Sequence, residues 1–250
     1  MFEVAQRERV LARLIELAGA DQRIATAAIV GSLADGSADE WSDIDLAMGV
    51  DESATVGELL AAWSDTMANE FDAVELLDLT TGDTTYRVFM LDDWLQVDLS
   101  FARESRFRKG SERFELLFGT PTTSYTPLRD VNEAFGWAVL YARTARASID
   151  RGRWWSAEFC ISALRDETLA MACSARGIRS GYGRGIDDLP RAVTDGFEDA
   201  LVRSLAREEL LRALDSTVAR LIREAVDLRG ERLSRLVGDL PSLAAADSHG

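Results

Sequence analysis

Asp43, Ile44, Asp45 and Leu46 alternate acid with aliphatic. On a strand, side chains two apart share a face, so both carboxylates point one way while Ile44 and Leu46 point to a core. Two carboxylates that close repel, and a divalent cation relieves the repulsion. Mg²⁺ suits such a pair, because it prefers oxygen ligands and usually takes substrate phosphate oxygens as well. A third acid, Asp98, stands in Gln96-Val97-Asp98-Leu99-Ser100. Val97 and Leu99 read as core there, which turns Asp98 to the opposite face, and a mid-strand carboxylate runs against strand propensity. Upstream, the apolar run Ile29-Val30 ends in Gly31-Ser32. Gly31 lets backbone approach a phosphate, whose oxygens the N–H groups of the next turn and the Ser32 hydroxyl would hold. Each piece alone has a bland counterpart: a solvated strand edge for the acid pair, a strand end for Gly-Ser, a wet sheet face for Asp98. Together they suggest a phosphate cradle joined to a carboxylate metal site.

The missing residue types narrow the chemistry. The single histidine is His249, in a C-terminal stretch that reads as a frayed tail. That removes a histidine-based triad and a histidine zinc site. The single lysine, Lys109, has no G-x-x-x-x-G-K-[ST] loop around it. Cys160 and Cys173 fall in one predicted helix, about 20 Å apart at ~1.5 Å per residue, beyond disulfide reach. They read as core residues of a reducing compartment. A net charge of −15 argues against broad nucleic-acid binding. No apolar run reaches the roughly 20 residues that cross a bilayer. The N-terminus lacks the basic-then-apolar order of a signal peptide, so the cytoplasm is the expected compartment.

The elements that must position these residues follow from periodicity. Residues 3–18 carry Val4, Leu11, Leu14, Ile15 and Ala18 on one helical stripe, with Gly19 placed to end it. Strands are expected at 24–31, 43–50, 73–79, 85–91 and 94–101, the last two as a hairpin. A helix is expected over 55–69, with Thr55 and Glu58 spaced for a capping box. Two of the four prolines lie in 119–127, which reads as a linker. Beyond it, 130–149, 154–176, 190–204 and 208–228 read as four helices of an antiparallel bundle. The fold class is therefore α+β: a small mixed β-sheet domain with flanking helices over 1–125, an all-α helical bundle over 126–240, and a disordered tail over 241–250.

A strand ending in Gly-Ser, a loop, an Asp-apolar-Asp strand and a later Asp-bearing strand resemble the nucleotidyltransferase superfamily of the DNA polymerase β type. From Gly31 through Leu46, including Ser42-Asp43-Ile44-Asp45-Leu46, the chain is similar to antibiotic nucleotidyltransferases that adenylylate aminoglycosides or lincosamides. The motifs span roughly residues 24–101. The resemblance implies Mg²⁺, two ions in all, held by Asp43 and Asp45, with Asp98 as general base, as a ligand of the second ion, or both, and a nucleotide held by Gly31, Ser32 and Ser42. It implies transfer of AMP from ATP to a hydroxyl of a small, cationic acceptor, with pyrophosphate released. It makes 1–125 the nucleotidyltransferase domain and 126–240 the acceptor domain, with neither nucleic acid nor membrane as partner. Two rivals are a protein- or tRNA-modifying toxin of the same superfamily, and an inactive nucleotide-binding regulatory module.

The predicted helix 154–176 is the most loaded. Glu158, Ser162 and Arg165 lie about one turn apart. They read either as an internal salt bridge or as a polar stripe in which Arg165 neutralises triphosphate and Glu158, Asp166 or Glu167 receives acceptor amines. Trp154-Trp155 reads as core. The basic cluster Arg103, Arg106, Arg108 and Lys109 reads as a solvated turn, with triphosphate contact as the alternative.

Overall fold

Val10, Leu14 and Ala18 are buried along one stripe of the first helix, α1 (Val4–Ala20). Gly19 does not end it. The helix runs one residue further and stops at Asp21, whose extended backbone leads into β1 (Ile24–Val30). The computed structural model describes residues 2–123, 128–225 and 237–244. It divides into two compact units, Met1–Thr126 and Pro127–Gly250. Residues 124–127 of the predicted linker, 226–228 of the last predicted helix and 245–250 of the predicted tail lie outside the described residues.

The first unit is built on a six-stranded mixed sheet. After β1 come β2 (Ile44–Val50), helix α2 (Val56–Phe71), β3 (Val74–Thr81), β4 (Thr84–Met90), β5 (Gln96–Arg103), β6 (Arg108–Lys109), β7 (Phe114–Phe118) and β8 (Thr122–Thr123). The sheet order is β3-β4-β5-β2-β1-β7, and β6 pairs separately with β8. β2 and β5 run parallel and the other neighbours in the six-stranded sheet antiparallel. Thr55 and Glu58 form the expected capping box at the start of α2, which stabilises a helix start by about 1 kcal/mol. Ile44, Leu46, Met48, Val97, Leu99 and Phe101 are fully buried and share one core with Leu14 of α1 and Leu59 of α2. Both helices thus cover one face of the sheet, and period-2 alternation leaves Asp45 and Asp98 on the other.

The second unit is helical. α3 (Val131–Asp150), α4 (Trp154–Ser174) and α6 (Arg207–Glu224) form its frame around Phe135, Ile161, Leu164 and Leu214. Asp130 caps α3 by accepting the Glu133 N–H at 2.9 Å. The single helix expected over 190–204 is instead a four-residue α5 (Arg191–Thr194) continued by a 3-10 turn, Asp195–Ala200. Asp195, Gly196 and Asp199 are poor helix formers there, and Phe197 and Ala200 anchor the turn to a small satellite core. Of the predicted tail, Pro241–Ala244 forms a helical turn, α7, with Leu240 buried just before it. Cys160 and Cys173 are free and buried. Trp154 and Trp155 are not core: they stand 36% and 76% exposed at the start of α4.

Candidate functional site

β2 and β5 pair in register, with Asp45 level with Asp98. Asp43 lies one residue before β2 begins. One carboxylate oxygen from each of Asp43, Asp45 and Asp98 lies within 4.8 Å of the other two, and all three residues are half-buried. At that separation each pair of charges repels by about 3 kcal/mol for an effective dielectric near 20. A merely solvated strand face gives no reason for three acids to converge against that cost, whereas a hard cation takes such an oxygen set directly. Gln96 Nε2 donates to Asp98 Oδ1 at 2.9 Å and orients that carboxylate.

Gly31 stands against the same cluster. Its φ of 74° is a left-handed conformation, and a Cβ built there overlaps Asp45 Oδ2. The strand gives way at Gly31 to a 3-10 turn, Gly31–Leu33, whose opening N–H groups lack partners within the turn itself. The Gly31 N–H itself donates to the Arg113 carbonyl at 3.3 Å, just ahead of β7. The Gly31 N–H is therefore already engaged, and Ser32 follows it in the turn. Ser42 lies in the loop just ahead of Asp43. Its hydroxyl donates to Asp39 Oδ1 at 3.0 Å and accepts the Asp39 N–H at 2.9 Å, so it builds the loop that presents Asp43. The Trp41 N–H and then the Ser42 hydroxyl hold the Asp39 carboxyl below its usual range.

Sequence reasoning left several neighbours aside. Tyr86 pairs with Ser100 across β4 and β5 and so shares the triad's face. Burial, and then the Asp45 charge, push its phenol up. Trp41 and Trp94 are exposed at the same end of the sheet, before β2 and β5 respectively. An aromatic beside a predicted acidic strand was the available signal for all three.

Arg103 and Arg106 of the basic cluster lie away from this site. Arg103 pairs with Val50 in the β2–β5 register, five residues from Asp98 or about 17 Å at ~3.3 Å per residue. Its guanidinium donates to the Ala54 carbonyl at 2.7 Å. Arg106 pairs with Asp83 and Lys109 with Glu112.

In the second unit the predicted stripe is partly rearranged. Ser162 Oγ donates to Glu158 Oε1 at 2.8 Å. Arg165 does not complete a Glu158 salt bridge, because it donates to the adjacent Asp166 at 2.9 Å. Glu167 pairs with Arg129 at 2.8 Å, and burial first, then Glu133 and Asp166, raises its carboxyl against that partner.

A helix-backed mixed sheet carrying a Gly-Ser turn and three convergent aspartates defines a nucleotidyltransferase-type domain. Residues 12–93 match the family described as Polymerase beta, Nucleotidyltransferase, which makes the first unit a nucleotidyltransferase-type domain. No curated protein matches the chain. Among solved structures it is similar to an aminoglycoside 6-adenyltransferase from Bacillus subtilis, at 12% identity and TM-score 0.37, covering 96% of this chain and 98% of that one. It is also similar to a chain of the GLD-2/RNP-8 complex, at 11% identity and TM-score 0.31, covering 96% and 92%. A third is a nucleotidyltransferase toxin from Mycobacterium tuberculosis, at 14% identity and TM-score 0.22, covering 94% of each. Among the described residues no helix is long and apolar enough to cross a membrane.

Proposed function

We propose that the chain is a metal-dependent transferase that moves AMP from ATP to a hydroxyl of a small antibiotic, an aminoglycoside or a lincosamide. The observation that carries the reading is the convergence of Asp43, Asp45 and Asp98 within 4.8 Å beside a glycine turn. Nucleotidyl transfer is what the superfamily and the acidic triad support, and antibiotic specificity rests on the Gly31–Leu46 string. Mg²⁺ held by the three aspartates, two ions in the full assembly, would supply positive charge to the attacking and leaving oxygens. Gly31 gives the triphosphate close access to backbone, and the N–H groups after it and the Ser32 hydroxyl hold terminal phosphate oxygens. Ser42 acts by holding the loop before Asp43. Asp98, oriented by Gln96, takes the proton of the acceptor hydroxyl. The new bond joins that oxygen to the α-phosphorus, and the bond to the β-phosphate oxygen breaks to release pyrophosphate.

The second unit is proposed as the acceptor domain, spanning 126–240, with Glu158, Asp166 and Glu167 of α4 receiving ammonium groups and Arg165 balancing phosphate charge. The net charge of −15 favours a cationic acceptor over tRNA. A cytoplasmic enzyme acting away from membranes is the setting this implies.

The test incubates the chain with Mg²⁺ and each nucleoside triphosphate against a panel of hydroxylated antibiotics, following pyrophosphate and product mass. Asp98→Asn should lower turnover by about 10²–10⁴-fold, the usual contribution of a general base, with unfolding by urea unchanged. Turnover retained in that variant removes Asp98 from its role. Transfer to protein or tRNA, with none to any antibiotic, overturns the acceptor assignment.

A further inference from the structure

Arg7 is 4% exposed, an unusual burial for a guanidinium. It projects from α1 and spends its Nη1 on the loop ahead of Asp43, donating to the Asp39 carbonyl at 2.5 Å and to the Ser42 carbonyl at 2.9 Å. Its Nε is also buried and has no hydrogen-bond partner among the described residues. A buried charge held only for packing is costly, so its placement invites a reason.

The reason lies one bond away. The Ser42 carbonyl carbon is bonded to the Asp43 nitrogen, and the peptide between them is planar. Fixing the Ser42 oxygen therefore fixes the plane from which Asp43 departs. The loop is already closed upon itself, because Asp39 Oδ1 accepts the Trp41 N–H at 2.9 Å and the Ser42 hydroxyl at 3.0 Å. Those contacts hold the loop's shape, yet they tie it to nothing else. Asp45 needs no such tie: β2 is held by β1 and β5 on either side. Asp43 precedes the strand and must reach the same 4.8 Å cluster from a loop.

We infer that Arg7 is a positioning residue that anchors the 39–42 loop to α1 and so sets the Asp43 carboxylate for the cation. The inference rests on the metal reading of the triad. It gives α1 a second duty besides covering the sheet.

The test measures Mn²⁺ binding to the full chain by the electron paramagnetic resonance of free Mn²⁺, with amide hydrogen exchange over residues 39–43 read alongside. Arg7→Met should bind Mn²⁺ at least tenfold more weakly, as loss of groups supporting a metal ligand commonly does, and should exchange faster at the loop. Arg7→Gln, which keeps an amide donor without the charge, should fall between and serves where Arg7→Met fails to fold. Arg87→Met, which removes a structural arginine whose side chain reaches α2 on the other face of the sheet, should leave Mn²⁺ affinity unchanged. A folded Arg7 variant that binds Mn²⁺ within twofold of wild type overturns the inference, as does an equal loss in Arg87→Met. Absence of Mn²⁺ binding in the wild-type chain overturns the metal reading and this inference with it. The exchange measurement, which needs no metal, tells that outcome apart by showing whether Arg7 still holds the loop.

Discussion

Gly31→Ala separates the stability of this fold from its chemistry. The left-handed φ of 74° makes alanine costly by about 1 kcal/mol on backbone grounds alone. The new Cβ also meets Asp45: Oδ2 lies inside any allowed contact, while Cγ and Cβ are 3.2 Å and 3.6 Å away. The overlapping atom is the far end of a side chain, so the cheap relief is a rotation of the Asp45 carboxylate. The sheet survives that rotation, but the three acids no longer converge. Gly82→Ala is the matched control. Gly82 has a φ of 59° in the β3–β4 turn, and its Cβ would meet nothing within 4 Å. Both variants should lose about 1 kcal/mol in urea unfolding, and only Gly31→Ala should weaken Mn²⁺ binding, by tenfold or more. Wild-type Mn²⁺ affinity in Gly31→Ala, or an equal loss in Gly82→Ala, refutes the claim that this glycine exists to leave room for Asp45.

Two further outcomes follow from ion pairs. Arg87, whose side chain is 14% exposed, pairs with Asp78 at 2.6 Å and Glu75 at 3.2 Å and donates to the Leu60 carbonyl and Ser64 of α2. Arg87→Met should therefore cost about 2–3 kcal/mol in urea, since it strands several partners at once. Glu209 is brought down to about 2, chiefly by the Arg212 side chain, with the Arg203 N–H adding to it. A lowered folded-state value means the pair stabilises fully above the unfolded value near 4.5 and is lost as pH falls through about 2. Glu209→Gln should thus be less stable than wild type by about 1 kcal/mol at pH 6, and thermal unfolding should show the two converging as pH falls from 4.5 to 2.

How much of this was legible in the sequence depended on where the physics is local. The acid alternation at Asp43 and Asp45, the capping box at Thr55 and Glu58, and the 3.6-residue stripes of α3 and α4 are set by neighbours a few residues away. They could be read directly. β7 was missed, because Phe114–Phe118 is a short run whose identity comes from pairing with β1. The 3-10 turn at Asp195–Ala200 reads as helix in the sequence, because its apolar residues keep a helical spacing while the glycine and aspartates among them lower propensity. Trp155 reads as core from its type, although α4 turns it outward. Arg7 gave no signal at all: its role lies in carbonyls 32 and 35 residues away.

Asp98 shows how hydrophobic burial can specify a polar site. Parallel strands need a long crossover, and between β2 and β5 the chain runs through α2 and the β3–β4 hairpin. Spacing along the sequence therefore says nothing about whether Asp98 comes level with Asp45. What fixes it is the alternation of Val97, Leu99 and Phe101, all fully buried. A slip of one residue in β5 would expose those three side chains and bury Asp98. Each apolar side chain contributes about 1.5–3 kcal/mol on burial, so the slip would forfeit roughly 5–9 kcal/mol before the cost of burying a carboxylate is counted. That loss is comparable with the whole stability of a domain. The register that brings Asp98 level with Asp45 is thus held by the greasy face of the strand, and the acidic face inherits its alignment.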